Sequence, residues 1–435
     1  MESIWRNTIK MPSFSALDKD INTEVLIIGG GMAGLLCANA LHSAGVDYVL
    51  LEACGICGGI TADTTAKLSF QHGLIYDRLI REKGISMAKL YLAANQKALE
   101  KYFEMCRDID CDFEEKNSYI YSLDDREKII KEAAAFHTLG FHAELEDKLP
   151  LPFPVAGAVK VSRQAQFNPL KFASAIAEKL HVYEHSRVYD IKKGSAFCSG
   201  GRINAKKIIA ATHFPFINRR GLYFLKLYQS RSYVAAAENA AQVDGMYLDE
   251  NENGMSFRNY KNFLLLGALS HRTGKKSEAW KGLIDFSLRA FPDSPVKYRW
   301  AAQDCMTPDG IPYIGRYSPN TENLFVATGF NKWGMTASML SAQILFDMVT
   351  GKENQYAGLF SPSRKSSLLP LAANAFEAAV SLLTPTLKRC PHMGCALKWN
   401  PAEHSWDCPC HGSRFTQKGR LIDTPAQKSM KNMDI

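Results

Sequence analysis

The stretch from Val25 to Glu52 constrains this chain more than any other. Val25-Leu26-Ile27-Ile28 is a short apolar run, as expected of a strand covered on both faces. Gly29, Gly31 and Gly34 follow in G-x-G-x-x-G spacing. An apolar run then leads to Gly45, and Tyr48-Val49-Leu50-Leu51 ends on the acid Glu52. In such a strand–turn–helix–strand unit the first glycine permits the tight turn and the second lets a pyrophosphate approach the backbone. The third lets the helix pack close on the strand. The helix would aim its free N–H groups and positive dipole end at the phosphates. An acid at the end of the second strand suits a ribose 2′-OH and disfavours a 2′-phosphate. The expectation is a Rossmann-like βαβ domain that holds a dinucleotide other than NADP.

With 435 residues the chain has room for two or three domains. No run of 18 uncharged apolar residues occurs, so no membrane span is expected. Met1 to Asp20 carries charges throughout and has no apolar signal core, and a cytoplasmic location is the expectation. Of eleven cysteines, Cys390, Cys395, Cys408 and Cys410 crowd the tail while the rest are scattered. That distribution fits a reduced chain with one metal site, not a disulfide framework. The net charge is +8, with ten Lys/Arg against five Asp/Glu from Ser363 onward. No nucleic-acid module or basic–aromatic interleaving accompanies it, so no nucleic-acid partner is expected. The basic tail is either a solvated face or a docking surface for an acidic redox partner.

After Glu52, Ala53 to Gly73 is rich in small residues, as suits a loop against a cofactor. Cys54-Gly-Ile-Cys57 has C-x-x-C spacing; it reads either as a dithiol or simply as steric smallness next to the ribose acid. Residues 75 to 145 read as helical. Asn168 to Leu180 reads as a helix with Pro169 in its first turn, and His181–Ile191 and Lys207–Ala211 as strands. Strand pattern dominates from Leu222 to Leu269, followed by a helix near Ser277 to Ala290. Asn323 to Thr328 reads as a buried strand, Gly329 to Gly334 as a second glycine-bearing turn, and Met335 to Val349 as a helix. The domain boundaries expected are an oxidoreductase region over 1–362, a linker helix over 363–389 and a small all-β domain over 390–435. Within the first, dinucleotide-binding parts (about 20–74, 160–215 and 301–362) interleave with an α+β substrate domain (about 75–159 and 216–300).

The tail holds Cys390-Pro-His392 and, fifteen residues on, Cys408-Pro-Cys-His411. Two cysteines and two histidines are a possible zinc set. The order, with one Cys and one His in each loop, equally suits a 2Fe–2S centre in which thiolates hold one iron and imidazoles the other. His137 and His142 have H-x4-H spacing, but Ala134 stands where a mononuclear iron site needs an acid, so that site is not expected.

Over about residues 20 to 360 the order of elements resembles the D-amino-acid oxidase and glycine oxidase group of flavoproteins. The resemblance implies that Gly29, Gly31, Gly34 and Glu52 hold the FAD diphosphate and adenine ribose, with Val188 meeting the adenine through its backbone. It further implies that Thr65 and Lys67, with Gly329, Gly334 and Met335, flank the isoalloxazine. Glycine oxidases carry a carboxylate-binding Arg in the segment matching Trp300 to Gly310; Asp304 stands there instead, which argues against an ordinary amino-acid substrate. Asp304 then either pairs with a base such as Arg299 or receives a cationic amine. Arg258 and His271 are further pocket candidates, and both read equally as satisfied surface or core polar residues.

The tail, with His404-Ser-Trp406 and His411-Gly-Ser-Arg-Phe415, resembles Rieske domains, and the whole chain resembles the bacterial YhfW-type fusion of a flavin domain to a Rieske segment. This implies Cys390, His392, Cys408 and His411 as iron ligands, and a bracing disulfide between Cys395 and Cys410. Much of the base that normally precedes the first ligand loop of a Rieske domain is missing ahead of Cys390, so the expectation is a truncated domain whose cluster leans on the flavin domain, is labile or does not assemble. FAD and a Rieske 2Fe–2S cluster are therefore the expected cofactors. The expected activity is oxidation of a small amine-type substrate, with single electrons exchanged with a carrier protein. The alternative is a non-enzymatic electron-transfer or redox-sensing module.

Overall fold

A parallel pair forms the centre of the first sheet, and its register runs from Ile21 opposite Ile203 to Ile28 opposite Ala210. This is a computed structural model, and it describes residues 2–192, 194–218, 220–275, 278, 280–365 and 368–430. The sheet order is Tyr313–Arg316, Leu324–Thr328, Gly201–Ala210, Ile21–Ile28, Tyr48–Leu51 and Val182–Tyr183. Val25 to Ile28 are all buried, as their unbroken apolar run requires. The helices Met32–Ser43 and Gly334–Thr350 pack against each other in the main core. The helix Pro169–Ala177 starts where the sequence placed it, with Asn168 Oδ1 accepting from the N–H groups of Leu170 and Lys171.

The second sheet has nine strands. Its main path is Val296–Met306, Tyr228–Glu238, Phe263–Arg272, Ser256–Tyr260, Met246–Asp249, Glu114–Ser122, Gly157–Gln166 and Lys67–Leu68. Glu114–Ser122 corrects the helical reading of 75–145. The helices Ile75–Lys83, Ile85–Met105 and Arg126–Thr138 are there, but this polar segment pairs with Gly157–Gln166 and buries only Ser118 and its Ile120–Ser122 end.

Two neighbouring strands of this sheet organise the rest of the molecule. Tyr228–Glu238 and Val296–Met306 are antiparallel, with Ser230 opposite Asp304, Arg231 opposite Gln303, and Ser232 opposite Ala302. Side chains alternate across the pleat. One face therefore carries Ser230, Ser232, Ala302 and Asp304, and the other carries Gln229, Arg231 and Gln303.

The tail forms a separate four-stranded antiparallel sheet: Lys398–Asn400, Ser405–Asp407, Arg414–Thr416 and Leu421–Asp423. A helix, Leu368–Leu383, precedes it. No helix among the described residues is long and apolar enough to cross a membrane.

Candidate functional site

At the end of Ile21–Ile28 the chain turns at Gly29, whose φ is 112°. A Cβ at Gly34 would lie 1.8 Å from the Gly29 carbonyl oxygen, so only glycine lets the helix come this close to the turn. Gly31 precedes the helix without a side-chain cap, and the Met32 N–H is taken by Thr61 Oγ1. Glu52 reaches back across the turn: its carboxylate accepts from the N–H groups of Gly30 (2.6 Å) and Cys54 (2.8 Å). Its carbonyl accepts from Ser186, which brings Val188 within two residues of the same spot. Cys57 is buried and points at the Gly30 carbonyl, and burial pushes its thiol up. The C-x-x-C spacing thus reflects close packing, not a reactive dithiol.

A cavity of about 160 Å³ opens between this region and the second sheet. Thr65, Lys67, Gly334 and Met335 line one side, while Gly329, at φ 71°, is not among the lining residues and packs against Thr307. Burial, reinforced by the nearby Arg258 charge, lowers the Lys67 ammonium to about 7. Trp333 completes this side. It stacks on His72 with centroids 4.6 Å apart, and His72 is fixed by Tyr91 and the Ser69 carbonyl. Burial lowers His72 to about 3, so it stays neutral.

The opposite side is the pleat face with Ser232, Ala302 and Asp304, joined by Glu252, Ser270 and Lys332. Burial raises the Asp304 carboxyl to about 6, with the Lys332 charge opposing the rise. Of the three pocket candidates, only Asp304 lines the cavity. Arg258 is buried beneath the loop instead, donating to the Ala66 carbonyl with its plane over Trp5. His271 faces away, stacked on Tyr233. A β-bulge at Leu269 (φ 61°) explains the second correction. Gly267 faces the cavity, and the extra residue hands the next cavity position to Ser270 and turns His271 outward.

The tail loops are built alike. In each, the N–H of a glycine four residues after the first cysteine donates to that cysteine's carbonyl at 2.9 Å: Gly394 to Cys390 and Gly412 to Cys408. Both glycines have φ 80°. The rings of His392 and His411 sit 4.9 Å apart and perpendicular. Their Nε2 atoms meet Asn218 Oδ1 (2.9 Å) and the Phe224 carbonyl (3.0 Å). Their Nδ1 atoms are buried and have no hydrogen-bond partner. A buried imidazole nitrogen without a partner is costly unless a metal takes it. The neighbouring Cys408 thiol, the His392 backbone and the Ser413 side chain together hold the Cys390 thiol below its ordinary value. The donor set therefore fits a metal group held by two thiolates and two Nδ1 atoms, with each imidazole oriented through its other nitrogen.

The bracing disulfide is not formed. Cys395 and Cys410 are free thiols, although their Sγ atoms and that of Cys408 lie within 4.8 Å of one another.

What stands in for the missing base is the larger sheet. Four consecutive carbonyls of the second loop accept hydrogen bonds from side chains of the larger sheet. Arg272 donates to Pro409 and Cys410, Gln229 to His411 (2.6 Å), and Gln303 to Gly412 (2.9 Å). A buried ion network adds to this. Arg231 makes a two-pronged pair with Glu403, which also receives Arg414, while Arg414 reaches Asp407 and Asp423. The contacts from Gln229, Arg231, Arg272 and Gln303 were not signalled by local sequence pattern, because each joins residues more than 100 positions apart across the two parts.

A family model described as FAD dependent oxidoreductase matches residues 24–348. The chain belongs to this family. A second model, Rieske [2Fe-2S] domain, matches residues 383–434. The family binds FAD, and the Rieske domain binds a 2Fe–2S cluster. The chain is 34% identical to the Rieske 2Fe-2S iron-sulfur protein YhfW of Bacillus subtilis over 498 aligned positions, covering all of this chain and 98% of the relative. Because 498 positions exceed the 435 residues here, the relative carries segments this chain lacks. Its tail is 46% identical over 41 residues to a cytochrome b6-f complex iron-sulfur subunit of Nostoc, which is 9% of this chain and 23% of that protein. Among solved structures, glycine oxidase from Geobacillus kaustophilus superimposes with a TM-score of 0.67 at 20% identity, over 80% of this chain and all of that one. L-proline dehydrogenase from P. horikoshii gives 0.66 at 15%, over 79% and 98%. These two likenesses show the fold.

Proposed function

We propose that this oxidoreductase acts on a small amine-bearing substrate in the cavity beside Asp304 and exchanges electrons with a carrier through its Rieske segment. The observation that carries the reading is the shared wall. The same two strands line the cavity with one pleat face and hold the second cluster loop with the other. When bound, FAD supplies two-electron oxidation and the cluster one-electron transfer. Gly29, Gly31, Gly34 and Glu52 are the residues we assign to the FAD diphosphate and ribose, with Val188 at the adenine. Thr65, Lys67, Gly334 and Met335 are assigned to the ring. The uncapped first turn of Gly334–Thr350 and the Lys67 ammonium would favour negative charge at that edge of the cavity. Cys390, Cys408, His392 and His411 are assigned to the cluster.

A division into an oxidoreductase region over 1–362, a linker helix over 363–389 and a cluster domain over 390–435 is part of this proposal. A reducing, cytoplasmic setting is part of this proposal, resting on the scattered, odd-numbered cysteines of the sequence. Cys395 and Cys410 are the pair that oxidation would join into the brace.

Anaerobic mixing of the holoprotein with a panel of small amines and amino acids tests the activity. Bleaching of the flavin bands by a panel member supports it. Bleaching by dithionite alone would mark the protein as an electron carrier without substrate chemistry.

A further inference from the structure

Asn331 and Lys332 are consecutive non-glycine residues in left-handed conformations, with φ 51° and 69°. Such backbone is unfavourable for residues with a Cβ and persists only where the surroundings impose it. Here Asn331 imposes it. Its Oδ1 accepts from the Thr307 N–H (2.8 Å), and its Nδ2 donates to the Gly329 carbonyl (2.6 Å) and to Thr307 Oγ1 (3.0 Å). The result is that Lys332 projects into the cavity. Its ammonium donates to Ser270 Oγ at 2.7 Å, and its nearest carboxylate, Glu252, is 3.7 Å away and half-exposed. In the same cavity, the Asp304 carboxylate makes no hydrogen bond or ion pair with any described residue. An ammonium and a carboxylate thus share one half-dry cavity without touching.

We propose that Lys332 is the anion-binding residue of this pocket and Asp304 its cation-binding counterpart, so that together they hold a small dipolar substrate by its two ends. The inference rests on the functional reading above, and it changes one expectation from the sequence. Asp304 standing where glycine oxidases carry an Arg need not exclude a carboxylate-bearing substrate, because a cation enters the cavity from the turn instead. Burial supports both roles. Lys332 loses hydration in the cavity, which lowers it, and regains an ionic partner when a carboxylate binds; Asp304 does the same with an amine.

The test is a titration of the FAD-loaded protein, followed by the flavin absorbance bands. The probes are 2-aminoisobutyrate, which is dipolar and has no α-hydrogen to lose, and its two halves, isobutyrate and isopropylammonium. The dipolar probe is expected to bind at least tenfold more tightly than either half. Lys332→Met should weaken isobutyrate at least tenfold and spare isopropylammonium, Asp304→Asn should do the reverse, and Lys332→Arg should restore isobutyrate. If the loaded protein binds none of the probes, or if both variants weaken both halves equally, the assignment is overturned while the flavin reading stands. Protein that cannot be loaded with FAD overturns the functional reading and this inference with it.

Discussion

Gln303 and Asp304 are neighbours in the chain and face opposite sides of one strand. Gln303 donates to the Gly412 carbonyl in the cluster loop, and Asp304 lines the cavity. One sheet thus separates the cavity from the second tail loop. A Rieske segment without its own base is held by side chains of the oxidoreductase part.

This arrangement makes Gln303 a positioning residue for the cluster. Its Nε2 also donates to Gln229 Oε1 at 2.8 Å, and its Oε1 accepts from Thr273. In Gln303→Leu the Gly412 carbonyl and Gln229 Oε1 lose a donor in a buried setting. Each such orphan costs about 1–3 kcal/mol. Iron per protein should fall and the paramagnetic signal should decay faster in air, while flavin content is unchanged. Equal iron retention in variant and wild type would show that the carbonyl contacts do not hold the loop.

How far this was legible in the sequence follows from which contacts are local. Gly29, Gly34 and Glu52 lie within one βαβ unit, so their spacing alone placed them. The two tail loops likewise announced a metal site, because each pairs Cys and His within four residues. Glu114–Ser122 was hidden because its first half is polar on both faces. His271 does not line the cavity because the bulge at Leu269 turns it to the other face, and no local pattern reveals that bulge. Lys332 sat in a turn that the glycines had flagged, but its aim depends on two left-handed residues that no local pattern reveals. The replacement of the Rieske base by Gln229, Arg272 and Gln303 is a long-range relationship, and nothing in those strands advertises it.

Arg364 and Asp309 form a buried pair with 8% side-chain exposure each, and Arg364 also donates to the carbonyls of Pro312 and Ile311. Burial alone would raise the Asp309 carboxyl; the Arg364 hydrogen bonds and charge outweigh it and hold the group below its usual value. Removing one partner of a buried pair costs about 3–5 kcal/mol, so Arg364→Met should lower the unfolding midpoint clearly. A depressed carboxylate contributes stability that is complete above its unfolded value, near 3.9, and is lost as pH falls through the folded value. Denaturant unfolding at pH 7 and pH 3 should therefore show a smaller difference between variant and wild type at the lower pH. An equal difference at both would show that the pair does not carry the effect.

Asp304 makes a second pH prediction. Its carboxyl is raised to about 6, so it is neutral below that value and charged above it. Binding of isopropylammonium to the holoprotein should strengthen as pH rises through about 6. The charged groups around it are Lys332, Glu252, Lys67 and Asp63. Asp63 is also raised to about 6 by burial, but its carboxylate is paired with Arg6 at 3.3 Å. Titrating Asp304→Asn beside wild type assigns the step. If the step near 6 survives in that variant, Asp63 or another group is responsible.

The last prediction concerns the cluster potential. The Ser413 hydroxyl accepts from the Ala426 N–H at 2.9 Å, and its own proton is free to be donated to the neighbouring Cys390 sulfur, whose thiol it helps to lower. A donor to a ligand sulfur stabilises the more negative, reduced cluster and so raises its potential. The net value of such a bond is about 1 kcal/mol, and for a one-electron couple that corresponds to roughly 40 mV. Phe415, fully buried beside the cysteines, has no hydroxyl to compensate. Ser413→Ala should therefore lower the potential by a few tens of millivolts on the scale of that estimate. Ser413→Thr, which keeps the hydroxyl, should stay near wild type. Film voltammetry on the three proteins, with iron content measured in parallel, decides the matter. An unchanged or raised potential in Ser413→Ala would show that the hydroxyl does not act on the sulfur in the loaded protein.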